Sequence, residues 1–191
     1  GADTLYGYGG NDTLWADDLS STSQTSADVL YGGAGDDTLN GNAGDNTLDG
    51  GTGADTITSS GGSDTIVLRS GDGGATQSEG DTVTDFTDGT DSLGLDSSLS
   101  FTDLTIEQSG SDTVIKEGSS YLVTLTGISA SNVTVLDFQS ATTSDQTLNG
   151  TSSDDTLIGG AGNDTLNGGA GSDILLGWNG NDTFNIRSKT G

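Results

Sequence analysis

The chain of 191 residues contains no cysteine and no histidine. Without thiols it forms neither disulfides nor thiolate metal sites. Without imidazole or thiolate, zinc and most transition metals lose their preferred ligands, and hard cations that take oxygen remain. The same two absences exclude a Ser-His-Asp or Cys-His catalytic set and an HExxH zinc motif. Basic residues are almost missing: Arg69, Lys116, Arg187 and Lys189 stand against 29 acids, for a formal charge of −25. A surface so negative repels nucleic acid and anionic lipid, so neither is expected as a partner. No apolar run approaches the ~18 residues of a spanning helix, and no membrane insertion is expected. The chain opens at Gly1 without a signal-peptide pattern and is expected to be a fragment of a longer protein.

Apolar residues are scarce as well. Leu, Ile, Val and Phe number 38 of 191, close to the ~20% below which a highly charged chain stays disordered. The acids are biased: glutamate occurs as Glu79, Glu107 and Glu117, so 26 of the 29 are aspartate. A merely solubilising surface would use both carboxylates alike. Compact oxygen ligands held in turns explain the bias, and calcium takes roughly six to eight oxygens from carboxylates and backbone carbonyls. A site that does not exist in the unfolded chain turns its binding free energy into folding free energy. The sequence therefore predicts a chain that folds on calcium and fails to fold without it.

What is abundant is a frame. Asp3, Asp12, Asp28, Asp37, Asp55 and Asp64, then Asp155, Asp164, Asp173 and Asp182, each precede an apolar residue by two positions, most at steps of nine, with Asp145 one place out of frame. The apolar partners are Leu5, Leu14, Leu30, Leu39, Leu48, Ile57 and Ile66, and later Leu148, Leu157, Leu166, Leu175 and Phe184. Gly32-Gly33-Ala34-Gly35-Asp36-Asp37-Thr38-Leu39-Asn40 shows the form GGxGxDxUx, with U apolar. Glycines allow the positive φ angles of a turn, and the x-U-x tripeptide is extended with U on one face. Strands of three residues are marginal alone but stack as a solenoid around a thin core. Two carboxylates could cleave a glycoside, yet a periodic carboxylate is a structural device, and the chain is expected to be non-catalytic.

Three regions follow. Residues 1–67 form a first nonapeptide array, interrupted where Asp12 and Asp28 lie sixteen residues apart, nine plus seven, so that Ala16 to Thr22 reads as a loop bulging from one coil. From 68 to 140 the nine-residue beat gives way to period-two alternation, as in Leu104-Thr105-Ile106, Thr113-Val114-Ile115 and Leu122-Val123-Thr124-Leu125, which predicts an antiparallel spacer that caps the first coil. Residues 141–191 form a second array whose exit, Asn181 to Ser188, repeats Ser63 to Ser70, so a tandem duplication truncated at its C-terminal end is inferred. Asn46 and Gln146 occupy frame positions without a carboxylate. The expected fold is all-β: two parallel β-roll (β-helix) solenoids flanking an antiparallel β-rich spacer.

The nonapeptides, over about 110 residues in two arrays, resemble the repeats-in-toxin (RTX), or haemolysin-type, calcium-binding family. The resemblance implies a parallel β-roll of two nonapeptides per coil, with calcium between turns eighteen residues apart. The ligands it implies are carbonyls at turn positions two and four with the position-six aspartate, facing carbonyls at positions one and three with the aspartate one coil later. On that rule Gly33, Gly35 and Asp37 face Gly50, Thr52 and Asp55. Thr151, Ser153 and Asp155 face Gly168, Ala170 and Asp173, and Gly160, Gly162 and Asp164 face Gly177, Asn179 and Asp182. A weaker site joins Asn42, Gly44 and Asn46 to Ser59, Gly61 and Asp64; Asp12 and Asp28 are further ligands whose sites depend on the inserted loop. The resemblance also implies a secreted bacterial extracellular or cell-surface protein that leaves by type I secretion and folds outside, as a monomeric module. An adhesin or polysaccharide-binding module and an accessory domain of a secreted enzyme are the alternatives. Tyr6, Tyr8, Trp15 and Tyr31, near the start of the first array, either stack on a cell-surface glycan or cap the solenoid.

Overall fold

A computed structural model describes residues 1–17, 25–140 and 144–186. Most of the inserted loop and the repeated Arg187-Ser188 exit lie outside the described residues. Strands β1 (Thr4–Gly9), β2 (Thr13–Trp15), β3 (Val29–Ala34), β4 (Thr38–Asn40), β5 (Thr47–Thr52), β6 (Thr56–Thr58) and β7 (Thr65–Leu68) alternate between two sheets. β1, β3, β5 and β7 pair side by side in one, and β2, β4 and β6 in the other, all parallel. The register confirms two nonapeptides per coil: Val29 lies beside Thr47 and Thr47 beside Thr65, while Thr38 lies beside Thr56. Across the insertion Thr4 lies beside Val29 and Thr13 beside Thr38, so the extra seven residues leave the side-chain phase intact.

Each U side chain points between the sheets, as period-two alternation requires. Leu30, Leu39, Leu48, Ile57 and Ile66 are fully buried. They form two ladders, Leu5-Leu30-Leu48-Ile66 and Leu14-Leu39-Ile57, one per sheet.

The nine-residue beat stops at Val67, but the sheets do not. β8 (Asp81–Val83) continues the second sheet beside β6, β9 (Ser92–Leu95) continues the first beside β7, and β13 (Phe138–Ser140) follows beside β9. Leu93 and Phe138 extend one core ladder and Val83 the other, all fully buried. The antiparallel strands are β10 (Leu104–Ser109), β11 (Asp112–Glu117) and β12 (Ser120–Leu125), a meander joined to the roll where β12 lies parallel to β8. The spacer thus shares the first roll's core rather than sitting beyond it.

In the second array β14 (Thr147–Asn149), β16 (Thr165–Gly169) and β18 (Thr183–Ile186) form one parallel sheet, and β15 (Thr156–Gly160) and β17 (Ile174–Trp178) the other. Thr147, Thr165 and Thr183 stand in line at the eighteen-residue step. This stack is short. Leu166 is fully buried, whereas Phe184, in the terminal rung, is 48% exposed.

Candidate metal centre

The turns join the sheets, and position six of each nonapeptide aims its side chain into them. Asp28, Asp37, Asp55, Asp64 and Asp164 are at most 2% exposed. One carboxylate oxygen accepts the backbone N–H of the position-six residue one coil earlier. Asp12 donates to Asp37 Oδ1 at 2.7 Å, Asp37 to Asp55 Oδ1 at 2.7 Å, and Asp164 to Asp182 Oδ1 at 2.9 Å. Asp3 donates to Asp28, and Asp155 to Asp173, in the same way. A second ladder runs in the opposite sense at position five, where Asn11, Asp36, Asp45, Asp145, Asp154 and Asn163 accept the amide one coil later. Asp145 therefore belongs to this outer ladder, which explains its place one residue out of the position-six frame.

The other oxygen has no partner. Oδ2 of Asp12, Asp28, Asp37, Asp55, Asp64 and Asp164 is buried without a hydrogen bond, as is Oδ2 of Asp17. An ionised oxygen removed from water without compensation costs several kcal/mol, on the order of a lost fold when repeated. Position one shows what these oxygens face. A methyl group at Gly32 would lie 2.5 Å from Asp37 Oδ2 and 2.5 Å from the Gly50 carbonyl oxygen of the next coil. At Gly159 it would lie 2.5 Å from Asp164 Oδ2 and 2.7 Å from the Gly177 carbonyl, and at Gly7 it would meet Asp12 Oδ2 at 2.8 Å and the Gly32 carbonyl at 2.5 Å. Two acceptors from successive coils converge on one point, an arrangement that repels unless a cation lies between them. Hard oxygen donors, no nitrogen and no sulfur suit calcium.

Other residues singled out in the sequence lie at the same junctions between coils. The carbonyls of Gly33, Gly35, Thr151, Ser153 and Gly162 face the next coil, at Gly51, Gly53, Gly169, Gly171 and Gly180. Asp37, Gly50 and Asp55 come together, as do Asp164, Gly177 and Asp182. Several carbonyls also take backbone amides: Thr52 from Gly35 at 2.9 Å, Gly61 from Gly44 at 2.7 Å, Asn42 from Gly61 at 3.0 Å, Gly160 from Asn179 at 2.9 Å and Thr151 from Ala170 at 3.0 Å. Asp155 differs, because its Oδ2 accepts the Thr151 N–H at 2.6 Å while facing the Gly168 carbonyl across Gly150. Near Gly41 the Ser59 carbonyl faces the Asn46 amide nitrogen rather than a carboxylate. Among the described residues no three acidic side chains cluster as a metal site.

Two acids that the sequence frame misses continue it, and a third caps the neighbouring turn. Asp81 Oδ1 accepts the Asp55 N–H at 3.0 Å and Asp91 Oδ1 the Asp64 N–H at 3.1 Å, both from buried positions. Asp85 accepts the amides of Ser59 and Ser60, each at 2.8 Å. A signal was present in Asp81-Thr82-Val83 and Asp91-Ser92-Leu93, which keep the D-x-U triplet at broken spacing. Burial pushes the Asp64 and Asp81 carboxyls up. Asp64 rises to about 7 through burial, opposed by the Asn46 amide and reinforced by the Asp91 carboxylate. Asp81 rises through burial and then through the neighbouring Asp55 charge. Protons and a cation therefore compete for the same oxygens.

The aromatic residues do not form one group. Tyr6 stacks on Tyr31 at 5.0 Å and on Tyr8 at 5.8 Å between ring centroids, along the first sheet. Trp15 lies on the other sheet, in β2.

The sequence pattern of the RTX calcium-binding nonapeptide repeat matches four times, at residues 1–19, 24–57, 40–74 and 149–184, together more than half of the chain. No curated protein matches. Among solved structures, the AlgE6R3 subunit from the Azotobacter vinelandii mannuronan C5-epimerase is similar over 73% of this chain and 80% of that one, with 22% identity and a TM-score of 0.43.

Proposed function

Because the chain belongs to the family of RTX calcium-binding nonapeptide repeats, we propose that it is the calcium-binding module of a secreted bacterial protein, folding on the metal outside the cell. The repeats bind Ca2+. The observation that carries the reading is the row of buried, unpartnered Oδ2 atoms in successive turns. The ions would lie between Asp37 and Asp55, Asp155 and Asp173, and Asp164 and Asp182, with the carbonyls of positions one to four completing each shell. Asp12 and Asp28, each with a bare buried oxygen, would serve further sites in the first roll. When bound, calcium supplies positive charge shared by oxygens of two coils.

The chain's own residues do the rest. Position-six amides and Oδ1 atoms set the rise between coils, the U ladders exclude water, and glycine at position one leaves the gap open. Where calcium is scarce the like charges keep the chain extended, which suits export of an unfolded polypeptide by a type I route; where it is abundant they are bridged. This is a structural role without catalysis, whatever the parent protein does. A second reading, a module that also binds a neutral cell-surface glycan, is favoured by the Tyr8-Tyr6-Tyr31 stack, in which Tyr6 and Tyr8 are exposed and Tyr31 is half-buried.

The test compares two aspartates. Asp164→Ala removes a buried turn oxygen, whereas Asp103→Ala removes an exposed carboxylate that accepts the Ser100 N–H at 3.2 Å in the spacer. Calcium titrations followed by circular dichroism should show a raised calcium midpoint for Asp164→Ala and a native one for Asp103→Ala. Equal midpoints would reject the placement of the metal in the turns.

A further inference from the structure

On the calcium reading above, we propose that the turn at Asn46 closes without metal, its side-chain amide donating into the gap that a cation fills in the aspartate turns. Asn46 occupies position six and is 2% exposed. Its Oδ1 accepts the Asp28 N–H at 2.9 Å, as Oδ1 does in the aspartate turns. That bond fixes the orientation of the amide, because the reverse placement would set N–H against N–H. Nδ2 is thereby turned into the gap, where it donates to the Gly41 carbonyl at 2.9 Å and to the Gly44 carbonyl at 2.9 Å. Asp28 and Asp64, one coil to either side, each leave a bare buried oxygen, whereas Asn46 has every polar atom engaged. A cation placed here would meet the positive ends of two N–H bonds and compete with them for the Gly44 oxygen. The residues do not fit the metal; they replace it.

Gln146, the other frame position without a carboxylate, also presents an amide nitrogen, here to the next coil. Its backbone N–H donates to Asp164 Oδ1 at 2.8 Å, and its Nε2 donates to the Gly159 carbonyl at 3.1 Å and to Ser140 Oγ at 3.1 Å. Gly159 holds position one, the carbonyl that faces a carboxylate oxygen in the aspartate turns. Both substitutions thus put a donor where aspartate puts an acceptor. The stack contains two kinds of rung, one closed by calcium and one closed by an amide that neither chelation nor protonation opens.

Native mass spectrometry of the full chain at saturating calcium counts the ions. Asn46→Asp should bind at least one ion more than the native chain, and Asp37→Asn at least one fewer while keeping its strand spectrum. A folded Asn46→Asp chain with the native count, or an Asp37→Asn chain that retains it, would overturn the proposal; if Asn46→Asp does not fold, the Asp37→Asn count decides. A native chain that takes up no calcium at any concentration overturns the calcium reading and this proposal together, whereas a native chain that loads calcium with unchanged variant counts overturns this proposal alone.

Discussion

At the residue scale each turn divides its work among positions. Position six places one oxygen on a backbone amide and the other in the gap, and at Gly32, Gly159 and Gly7 a side chain at position one would fill that gap. Gly32 lacks the positive φ of its neighbours Gly33 and Gly35, so replacing it tests space alone. Gly32→Ala should cost the calcium-loaded fold about 1–3 kcal/mol by overpacking and lower the bound calcium count. Gly61→Ala, where nothing lies within 4 Å, should leave both unchanged in the same thermal melts and ion counts. Position two is left-handed in several turns, and Tyr8, Asn42, Ser60 and Trp178 adopt φ between 58° and 71° there without being glycine, each at about 1–2 kcal/mol. The position-six aspartates were legible in the sequence because they recur. Which oxygen faces the gap was not, since periodicity places a residue on a face and says nothing of its hydrogen bonds.

At the element scale, three-residue strands hold because each is flanked by copies of itself. Leu39 lies between Leu14 and Ile57 in its ladder and is fully buried. Leu39→Ala should destabilise the loaded protein by about 2–5 kcal/mol, read from chemical unfolding. On the outer side of β5 the scarce cations are used sparingly. Arg69 binds the buried Asp49 with its two terminal guanidinium nitrogens, and its Nε lies 3.5 Å from Asp96. Burial raises the Asp49 carboxyl while Arg69 opposes it. Arg69→Met strands that charge and should cost about 3 kcal/mol in the same assay. The meander β10 to β12 was legible as alternation, and its glycine turns as punctuation. The return of β8, β9 and β13 to the roll was not. Their core residues Val83, Leu93 and Phe138 pair across 26, 27 and 45 residues, so the ladder survives in space after the period has vanished from the chain.

At the scale of the whole molecule, 29 acids and 38 leucine, isoleucine, valine and phenylalanine residues oppose one another. Without metal, buried carboxyls such as Asp64, raised to about 7, prefer to be neutral. Their contribution to the metal-free fold is fully present below the unfolded carboxyl value of about 4 and is lost as pH rises through about 7. The metal-free chain should therefore gain strand signal between pH 8 and pH 5. Calcium should reverse the dependence, binding more tightly as the carboxyls ionise; a chelated chain equally disordered at both pH values would contradict this linkage. The charge balance and the absence of nitrogen and sulfur ligands were legible from composition alone, whereas the Asn46 and Gln146 rungs became distinct once their amide nitrogens were located.

The claim on which these arguments rest is that calcium joins successive coils that apolar burial alone does not hold. Far-ultraviolet circular dichroism at neutral pH, recorded as calcium is added to chelated protein, measures it directly. A cooperative passage from a coil spectrum to a strand spectrum is the predicted result, and a strand spectrum already complete in excess chelator would contradict it.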